Sequence, residues 1–195
     1  SLLVLDIAEN DFTGTIPTEL NLLTNLELIS IHQVGKSGTG LTGKIPSFSD
    51  LSGLTELYLD SNSLSGTLPK DLLRNSKKLA GKITIGLSKN ELEGDIPADY
   101  ARFANLDIDL TDNRIGGIPE VLCSKTNWQN GWVDTYGCEA ILCPTETFST
   151  FGKRSAQDYP CKSCSEVGNG ISPFLGATKC LFDDSGLNTL TERDI

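Results

Sequence analysis

Several features that whole classes of protein require are missing from this sequence. None of its 195 residues is a methionine, and the chain opens directly on SLLVLDI. No apolar run approaches the roughly 20 residues of a membrane-spanning helix, and the N-terminus lacks a charged segment followed by an apolar block and a cleavage site. We therefore expect a mature, trimmed or fragmentary product that does not insert into a membrane.

Basic residues are scarce relative to acidic ones. The chain has 16 lysines and arginines against 26 aspartates and glutamates, which gives a formal net charge of -10. A field of this sign repels the phosphates of nucleic acids and anionic lipid surfaces. We therefore expect no nucleic-acid partner.

Cysteine is absent from the first 122 residues, and all six cysteines follow between Cys123 and Cys180. An even number of cysteines in a short segment is typical of proteins that fold in an oxidising compartment. The sequence therefore predicts an extracellular location, either secreted or at the cell surface.

Signals of catalysis are also missing. The only histidine, His32, has no cysteine near it, and no Gly-x-Ser-x-Gly motif or phosphate-binding loop is present. The segment LDIDLTDN begins like a calcium loop, but Asp112 and Ile118 stand where such a loop needs glycine and glutamate. We therefore predict a chain that is not an enzyme and uses no cofactor and no metal. Asp107 and Asp109 would form a solvated acidic face, and the alternative is a weak site there for a cation or a basic partner.

What the sequence does contain is a unit that recurs along most of its length. The stretch LTELYLDSNSLSGTLP at 54–69 has counterparts at 2–20, 26–48, 83–100 and 106–122. The separations between the marker positions of these five copies are 24, 28, 28 and 23 residues, as leucine-rich repeats require. The marker positions are Asn10, Val34, Asn62, Asn90 and Asn113.

Each position of the unit has a physical role. Leu57 and Leu59 lie two residues apart and therefore point to one side of a strand, whereas their neighbours point to the other. The Asn62 amide can bond backbone groups that a buried turn would leave unpaired. Gly66 permits backbone angles closed to other residues, and Pro69 ends the strand pairing. The unit therefore predicts coils that bury their leucines against neighbouring coils.

These copies resemble the plant-type extracellular leucine-rich repeat, whose consensus is L-x-x-L-x-L-x-x-N-x-L-x-G-x-I-P. The resemblance covers residues 1–122 and implies an α/β repeat solenoid with a concave parallel sheet and a short 3-10 or irregular convex side. It also implies a second short strand near the Gly-x-Ile-Pro segment. Val34 replaces the asparagine of the second copy, and the inserted GKSGTG at 35–40 predicts a protruding loop.

The repeat stops at Cys123, where a solenoid must seal its last coil. We expect Cys123 and Cys138 to form a disulfide in a C-terminal cap, with Trp128 or Trp132 lying over the core of the last repeat. The alternative is that the tryptophans form a sugar-stacking site.

The segment from Cys143 to Cys180 resembles the cysteine-rich modules of tumour-necrosis-factor-receptor and ephrin-receptor ectodomains. The matching marks are Cys143-Pro144, Thr147-Phe148-Ser149, Cys161-x-x-Cys164, Phe174-x-Gly176 and Cys180. Repeats followed by such a module resemble secreted or cell-surface leucine-rich repeat proteins of diatom-related algae. The resemblance favours the pairs Cys143–Cys161 and Cys164–Cys180, against a redox-active Cys161/Cys164 pair or a four-cysteine zinc site.

These observations predict three parts: repeats at 1–122, a capping segment at 123–142, and a small module with its tail at 143–195. We expect a non-catalytic recognition or adhesion protein whose concave face binds a protein or polysaccharide. The alternatives are an inhibitor of a secreted polysaccharide-degrading enzyme and a structural cell-wall or matrix protein. The candidate ligand-binding residues are Val4, Asp6, Leu28, Ser30, His32, Glu56, Tyr58, Asp60, Thr84, Asp107 and Asp109.

Two apolar surfaces complete the prediction. Outward-facing Val4, Leu28 and Tyr58 would form an anchor for the ligand on the concave face. Leu2, Leu5 and Ile7 begin a repeat with no cysteine-bearing cap before it, so the first coil would expose its core. Either missing N-terminal repeats or another chain, including a homodimer partner, would cover that edge.

Overall fold

In a computed structural model of the chain, the structure describes residues 2–33, 40–155, 159–168, 170–183 and 190–192. The strands of the repeats, in chain order, are β1 (Val4–Asp6), β2 (Gly14–Thr15), β3 (Leu28–Ser30), β4 (Leu41–Gly43), β5 (Glu56–Tyr58), β6 (Ser63–Thr67), β7 (Lys82–Gly86), β8 (Glu91–Asp95), β9 (Asn105–Asp109) and β10 (Arg114–Gly117).

The first strand of every repeat enters one parallel sheet, in the order β1-β3-β5-β7-β9. The pairing is in register, so equivalent positions of the repeats form continuous rows across the sheet. One row consists of Val4, Leu28, Glu56, Thr84 and Asp107, and the next of Asp6, Ser30, Tyr58, Gly86 and Asp109.

The second strand of every repeat enters another parallel sheet, in the order β10-β8-β6-β4-β2. This is the extra sheet that the plant-type consensus implies. The predicted fold, a solenoid of stacked coils with two parallel sheets, is therefore confirmed.

Between the sheets lies a continuous apolar core. The alternating pattern of β5 buries Leu57, and the next inward residue, Leu59, is buried as well, while Glu56 and Tyr58 remain partly accessible. Burial of one leucine side chain contributes roughly 1.5–3 kcal/mol, so the repeated leucines supply most of the stabilisation of the stack.

A ladder of asparagines links each coil to the one before it. The Asn90 amide donates to the carbonyls of Leu59 in the preceding coil (3.0 Å) and Leu87 in its own (3.1 Å), and its oxygen accepts from the Leu64 amide (3.0 Å). Asn62 and Asn113 make the equivalent bonds in their own coils. The asparagine side chains therefore satisfy backbone groups that the turns leave unpaired.

The convex returns are short. Three of them contain 3-10 helices, at Thr18–Leu22, Ala98–Arg102 and Glu120–Leu122. Each of the three follows the proline of its repeat, which cannot pair in a strand but fits the start of a helical turn.

The cap after the last repeat consists of the 3-10 helix Trp128–Gly131, the helix α1 (Trp132–Tyr136) and the 3-10 helix Gly137–Ala140. Trp128 is 0% exposed within the main core, and its indole N–H donates to the Phe103 carbonyl at 2.9 Å. Trp132 stacks on Tyr136 and is partly exposed. Trp128 is therefore the tryptophan that covers the last coil.

The C-terminal module has two short antiparallel pairs, β11 (Thr147–Phe148) with β12 (Lys162–Ser163) and β13 (Leu181–Asp183) with β14 (Leu190–Glu192). The 3-10 helix Cys164–Val167 follows β12, and a small apolar cluster forms around Phe148. The disulfides of the chain are Cys123–Cys138, Cys143–Cys161 and Cys164–Cys180, the same pairs that the sequence analysis favours.

The module packs directly against the last repeat. The Asp112 carboxylate accepts from the Thr178 backbone N–H (3.1 Å) and hydroxyl (2.7 Å). The Leu175 amide donates to the Ile115 carbonyl at 3.1 Å, and Leu175 contacts the main core.

The division of the chain at 122 and 142 stays a prediction, since the main core extends from the repeats through Leu142.

At the other end, β1 and β2 are the edge strands of their sheets, and Leu2, Leu3 and Val4 are about half exposed there. The predicted glycine-rich loop lies almost wholly outside the described residues, as does the marker Val34.

Candidate functional site

The concave sheet carries all the predicted ligand-binding residues, and the register of its strands places them in three rows. Two rows are those given above. The third continues beyond the strand ends with Ala8, His32, Asp60, Ser88 and Thr111, because each lies two residues after a member of the second row. Equivalent side chains of neighbouring repeats are therefore about 5 Å apart across the sheet.

The N-terminal part of this surface contains two of the predicted apolar anchor residues. Val4 is 52% exposed and pairs with Leu28, which is half-buried. Ser30 is buried, and its hydroxyl lies 3.1 Å from Nδ1 of His32. Tyr58 lies in the row next to that of Val4 and Leu28, so the three predicted anchor residues do not form one line.

The C-terminal part contains a depression of about 400 Å³. Its walls come from three neighbouring strands of the concave sheet and from the C-terminal module. The lining residues are Tyr58, Asp60, Thr84, Ile85, Gly86, Ser88, Asp107, Asp109 and Lys153.

Gly86 lines the depression, and the missing side chain leaves a notch in its row in which the Asp60 carboxylate lies. A Cβ built on Gly86 would overlap the carboxylate of Asp60, so only glycine leaves room for that carboxylate. Asp60 Oδ1 accepts from the Ser88 backbone N–H (2.8 Å) and hydroxyl (3.0 Å), which fixes the orientation of the side chain. Burial raises the pKa of Asp60; the hydrogen bonds from Ser88 oppose this increase, and the charge of Asp109 adds to it.

Asp109 has the same local arrangement on the neighbouring strand. Its Oδ1 accepts from the Thr111 backbone N–H (3.1 Å) and hydroxyl (2.8 Å). Asp60 and Asp109 therefore each hold one oxygen in a fixed bond, and their other oxygens accept no hydrogen bond from the described residues.

Tyr58 forms one wall of the depression. Its hydroxyl donates to Glu56 Oε2 at 2.9 Å. Burial, the hydrogen bond to Glu56 and the surrounding carboxylates raise the pKa of Tyr58 to about 12. The phenol therefore stays protonated at neutral pH.

Asp107 closes the depression on the side of the cap. Its Oδ2 accepts from the Asn130 amide at 3.0 Å and lies 3.7 Å from the Lys82 ammonium, which also donates to Asn130 Oδ1. This carboxylate therefore already has a cation, whereas Asp60 and Asp109 form no ion pair with a described residue.

Four lining residues of the depression are not among the candidates predicted from the sequence, namely Ile85, Gly86, Ser88 and Lys153. Gly86 could have been found from the sequence. The equivalent positions of the neighbouring repeats carry larger side chains, Tyr58 and Asp109, so a glycine there indicates a gap in the row. Lys153 could not have been found from the sequence. It lies in the module, outside the repeats, so the repeat pattern does not predict its position relative to the strands.

All six cysteines are disulfide-bonded, so neither the redox pair nor the four-cysteine zinc site forms. The described residues contain no group of three or more potential metal ligands. No helix among them is long and apolar enough to cross a membrane.

Comparison with known proteins gives consistent matches. The Leucine Rich Repeat family model matches residues 1–23 and 53–75. The Receptor-like kinase TMK4 of Arabidopsis thaliana is 39% identical over 62 residues, which is 32% of this chain and 6% of that protein.

Two solved structures extend the match. The structure of PEPR1-AtPEP1 has a TM-score of 0.56 and 31% identity, covering 65% of this chain and 17% of that chain. The plant peptide hormone receptor RGFR1 in complex with RGF2 has a TM-score of 0.56 and 30% identity, covering 66% of this chain and 20% of that chain. The match therefore spans only a small part of the length of these larger proteins.

Proposed function

Because this chain is a leucine-rich repeat protein of the plant type, we propose that it acts outside the cell as a non-catalytic recognition protein whose concave face binds a polypeptide. The observation that carries the proposal is the depression beside Tyr58, which three successive repeats build in register. A ligand that crosses the strands there contacts several repeats at once.

Three further features support a polypeptide ligand. RGFR1, whose structure resembles this one, is a plant peptide hormone receptor. The ring of Tyr58 provides a rigid aromatic contact, the kind of residue that dominates binding energy in protein interfaces. The carboxylates of Asp60 and Asp109 select against acidic ligands and favour a basic side chain.

The oxidised cysteines and the net charge of -10 fit this role. Disulfides persist outside the cell, where reducing systems are absent. An acidic protein also keeps polyanions away from its binding surface, so it selects basic partners by long-range attraction.

The proposal can be tested by selecting displayed random peptides on the immobilised 195-residue chain. Selected peptides should bind Tyr58→Ala at least about tenfold more weakly than the unmodified protein, because the variant removes an aromatic contact. Glu93→Gln is the matched control, since Glu93 is exposed on the second sheet. Circular dichroism would verify that both variants fold.

Two results would contradict the proposal. Selected peptides that bind Tyr58→Ala as tightly as the unmodified protein would place their site away from the concave depression. Retention on plant polysaccharides, with no peptide selected, would favour the cell-wall or matrix role instead.

A further inference from the structure

The module places one lysine over the concave sheet and holds its backbone there. The Cys143 amide donates to the Gly152 carbonyl (2.8 Å), and the Arg154 amide donates to the Glu139 carbonyl (2.7 Å). The carbonyl of Lys153 itself accepts from the Ser149 hydroxyl at 2.9 Å. The backbone on both sides of Lys153 is therefore fixed to the cap and to the start of the module.

The approach of this segment to the last repeat is close. Gly152 has a φ of +62°, and a Cβ there would overlap the side chain of Thr111 and the carbonyl of Gly176. Thr111 is the residue whose hydroxyl bonds Asp109. Gly152 therefore brings its neighbour Lys153 to the wall of the depression in which Asp109 lies.

Lys153 differs from the other cations near the depression in forming no ion pair with any residue that the structure describes. Arg154 lies 3.2 Å from Glu139 and over the ring of Tyr136, and Lys82 is paired with Asp107. Among the described residues, no carboxylate lies within ion-pair distance of the Lys153 ammonium. This ammonium is therefore available to an acidic group that enters the depression.

Opposite charges thus face a ligand from two separate parts of the chain. The repeats contribute the unbonded carboxylate oxygens of Asp60 and Asp109 beside the Gly86 notch, and the module contributes Lys153. A purely basic ligand would leave Lys153 unpaired and partly desolvated, and a purely acidic ligand would do the same to the carboxylates. Both arrangements cost free energy.

We infer that Lys153 is a specificity-determining residue of the concave site and that its occupant is an extended peptide with a basic side chain followed two residues later by an acidic one. The basic side chain lies against the carboxylates of Asp60 and Asp109, and the acidic side chain pairs with Lys153. Side chains two residues apart in an extended peptide point the same way and are about 7 Å apart, so both can enter one depression. This inference rests on the proposed function.

The test uses capped synthetic peptides and the full chain labelled with ¹⁵N. The first peptide is acetyl-Gly-Arg-Gly-Glu-Gly-amide, and the second replaces its glutamate with glutamine. Titrations that follow the backbone amides of Gly86 and Ser88 give the dissociation constant of each peptide for the unmodified protein and for Lys153→Ala. Lys162→Ala is the control, since Lys162 is an exposed lysine of the same module.

The four dissociation constants form a cycle that isolates the contact. We expect the glutamate peptide to bind the unmodified protein about threefold to tenfold more tightly than the glutamine peptide, and the two to bind Lys153→Ala equally. Lys162→Ala should behave like the unmodified protein, and Lys153→Arg should restore the preference for glutamate. A merely structural role for Lys153 would not move this preference.

The unfavourable outcomes separate the two proposals. If the peptides bind but Lys153→Ala keeps the full preference for glutamate, or gains affinity for both peptides equally, the role of Lys153 is overturned while concave recognition stands. If neither peptide shifts the signals of Gly86 and Ser88 in the unmodified protein, peptide recognition at this depression and the role of Lys153 are both rejected.

Discussion

The carboxylate of Asp60 occupies the space that a side chain at Gly86 would fill. The two residues lie on adjacent repeats, and Tyr58, two residues before Asp60, is the register partner of Gly86. The absence of a side chain at Gly86 therefore lets the Asp60 carboxylate lie close to the backbone of the next strand. This position of the carboxylate shapes the depression.

Replacing Gly86 with alanine should harm both stability and binding. The added methyl must displace the Asp60 carboxylate, and overpacking of this kind costs about 1–3 kcal/mol in the free energy of unfolding. Chemical denaturation checks this cost, and titration with a selected peptide should show weaker binding. Gly81→Ala is the control, because a Cβ there is 3.4 Å from the Lys78 carbonyl and should cost less than about 1 kcal/mol. Equal losses at both positions would refute a special role for Gly86.

Asp60→Asn should stabilise the protein at neutral pH. Since burial raises the pKa of Asp60, the folded chain binds this proton more tightly than the unfolded chain does. The contribution of Asp60 to stability is therefore most favourable below its unfolded pKa and falls as the pH rises through its folded pKa. Asparagine keeps an oxygen that can accept from Ser88 and removes the charge, so its advantage should shrink as the pH falls.

Thermal unfolding from about pH 7 to about pH 4 checks this expectation. Asp6→Asn, at the exposed edge of the same sheet, makes the same change in net charge. A destabilised Asp60→Asn at neutral pH, or an advantage that grows on acidification, would show that the Asp60 charge stabilises the fold.

Much of the architecture could be predicted because every coil satisfies the same constraints. Leu57 and Leu59 must be buried in the core, and the Asn62 side chain must bond the backbone groups of a turn. Because every repeat has the same needs, the same spacing recurs and identifies the repeat. The constant position of each strand within its repeat also predicts which outward residues become neighbours, such as Glu56 and Thr84.

The complete site could not be predicted, because part of it does not follow the repeat. The position of Lys153 depends on how Gly152 packs against Thr111, and two segments distant in sequence give no periodic signal of such a contact. Asp112 likewise lies in the last repeat, but nothing in the repeat pattern predicts that its carboxylate accepts a hydrogen bond from Thr178 of the module.

The asparagine ladder predicts a large effect at a buried rung. Asn90→Ala would leave the Leu64 amide without its acceptor, and it would remove one of the two asparagine bonds that each of the Leu59 and Leu87 carbonyls accepts. A buried group without a partner costs about 1–3 kcal/mol and each lost hydrogen bond about 1 kcal/mol, so the free energy of unfolding should fall by about 3 kcal/mol. Asn10→Ala, at an exposed position, should cost about 1 kcal/mol or less in the same denaturation experiment. Similar costs at both positions would argue against the ladder as a source of stability.

The two tryptophans of the cap predict a contrast of their own. Trp128→Ala removes a fully buried ring from the end of the core and the indole N–H that bonds Phe103, so we expect a loss of about 3–5 kcal/mol in the free energy of unfolding. Trp132→Ala removes a partly exposed ring that stacks on Tyr136 and should cost about 1 kcal/mol. Trp128→Phe separates the two contributions, because it keeps an aromatic ring and loses only the donor and some volume. Denaturation monitored by far-ultraviolet circular dichroism gives all three values, and a Trp132→Ala variant as unstable as Trp128→Ala would show that both rings seal the last coil.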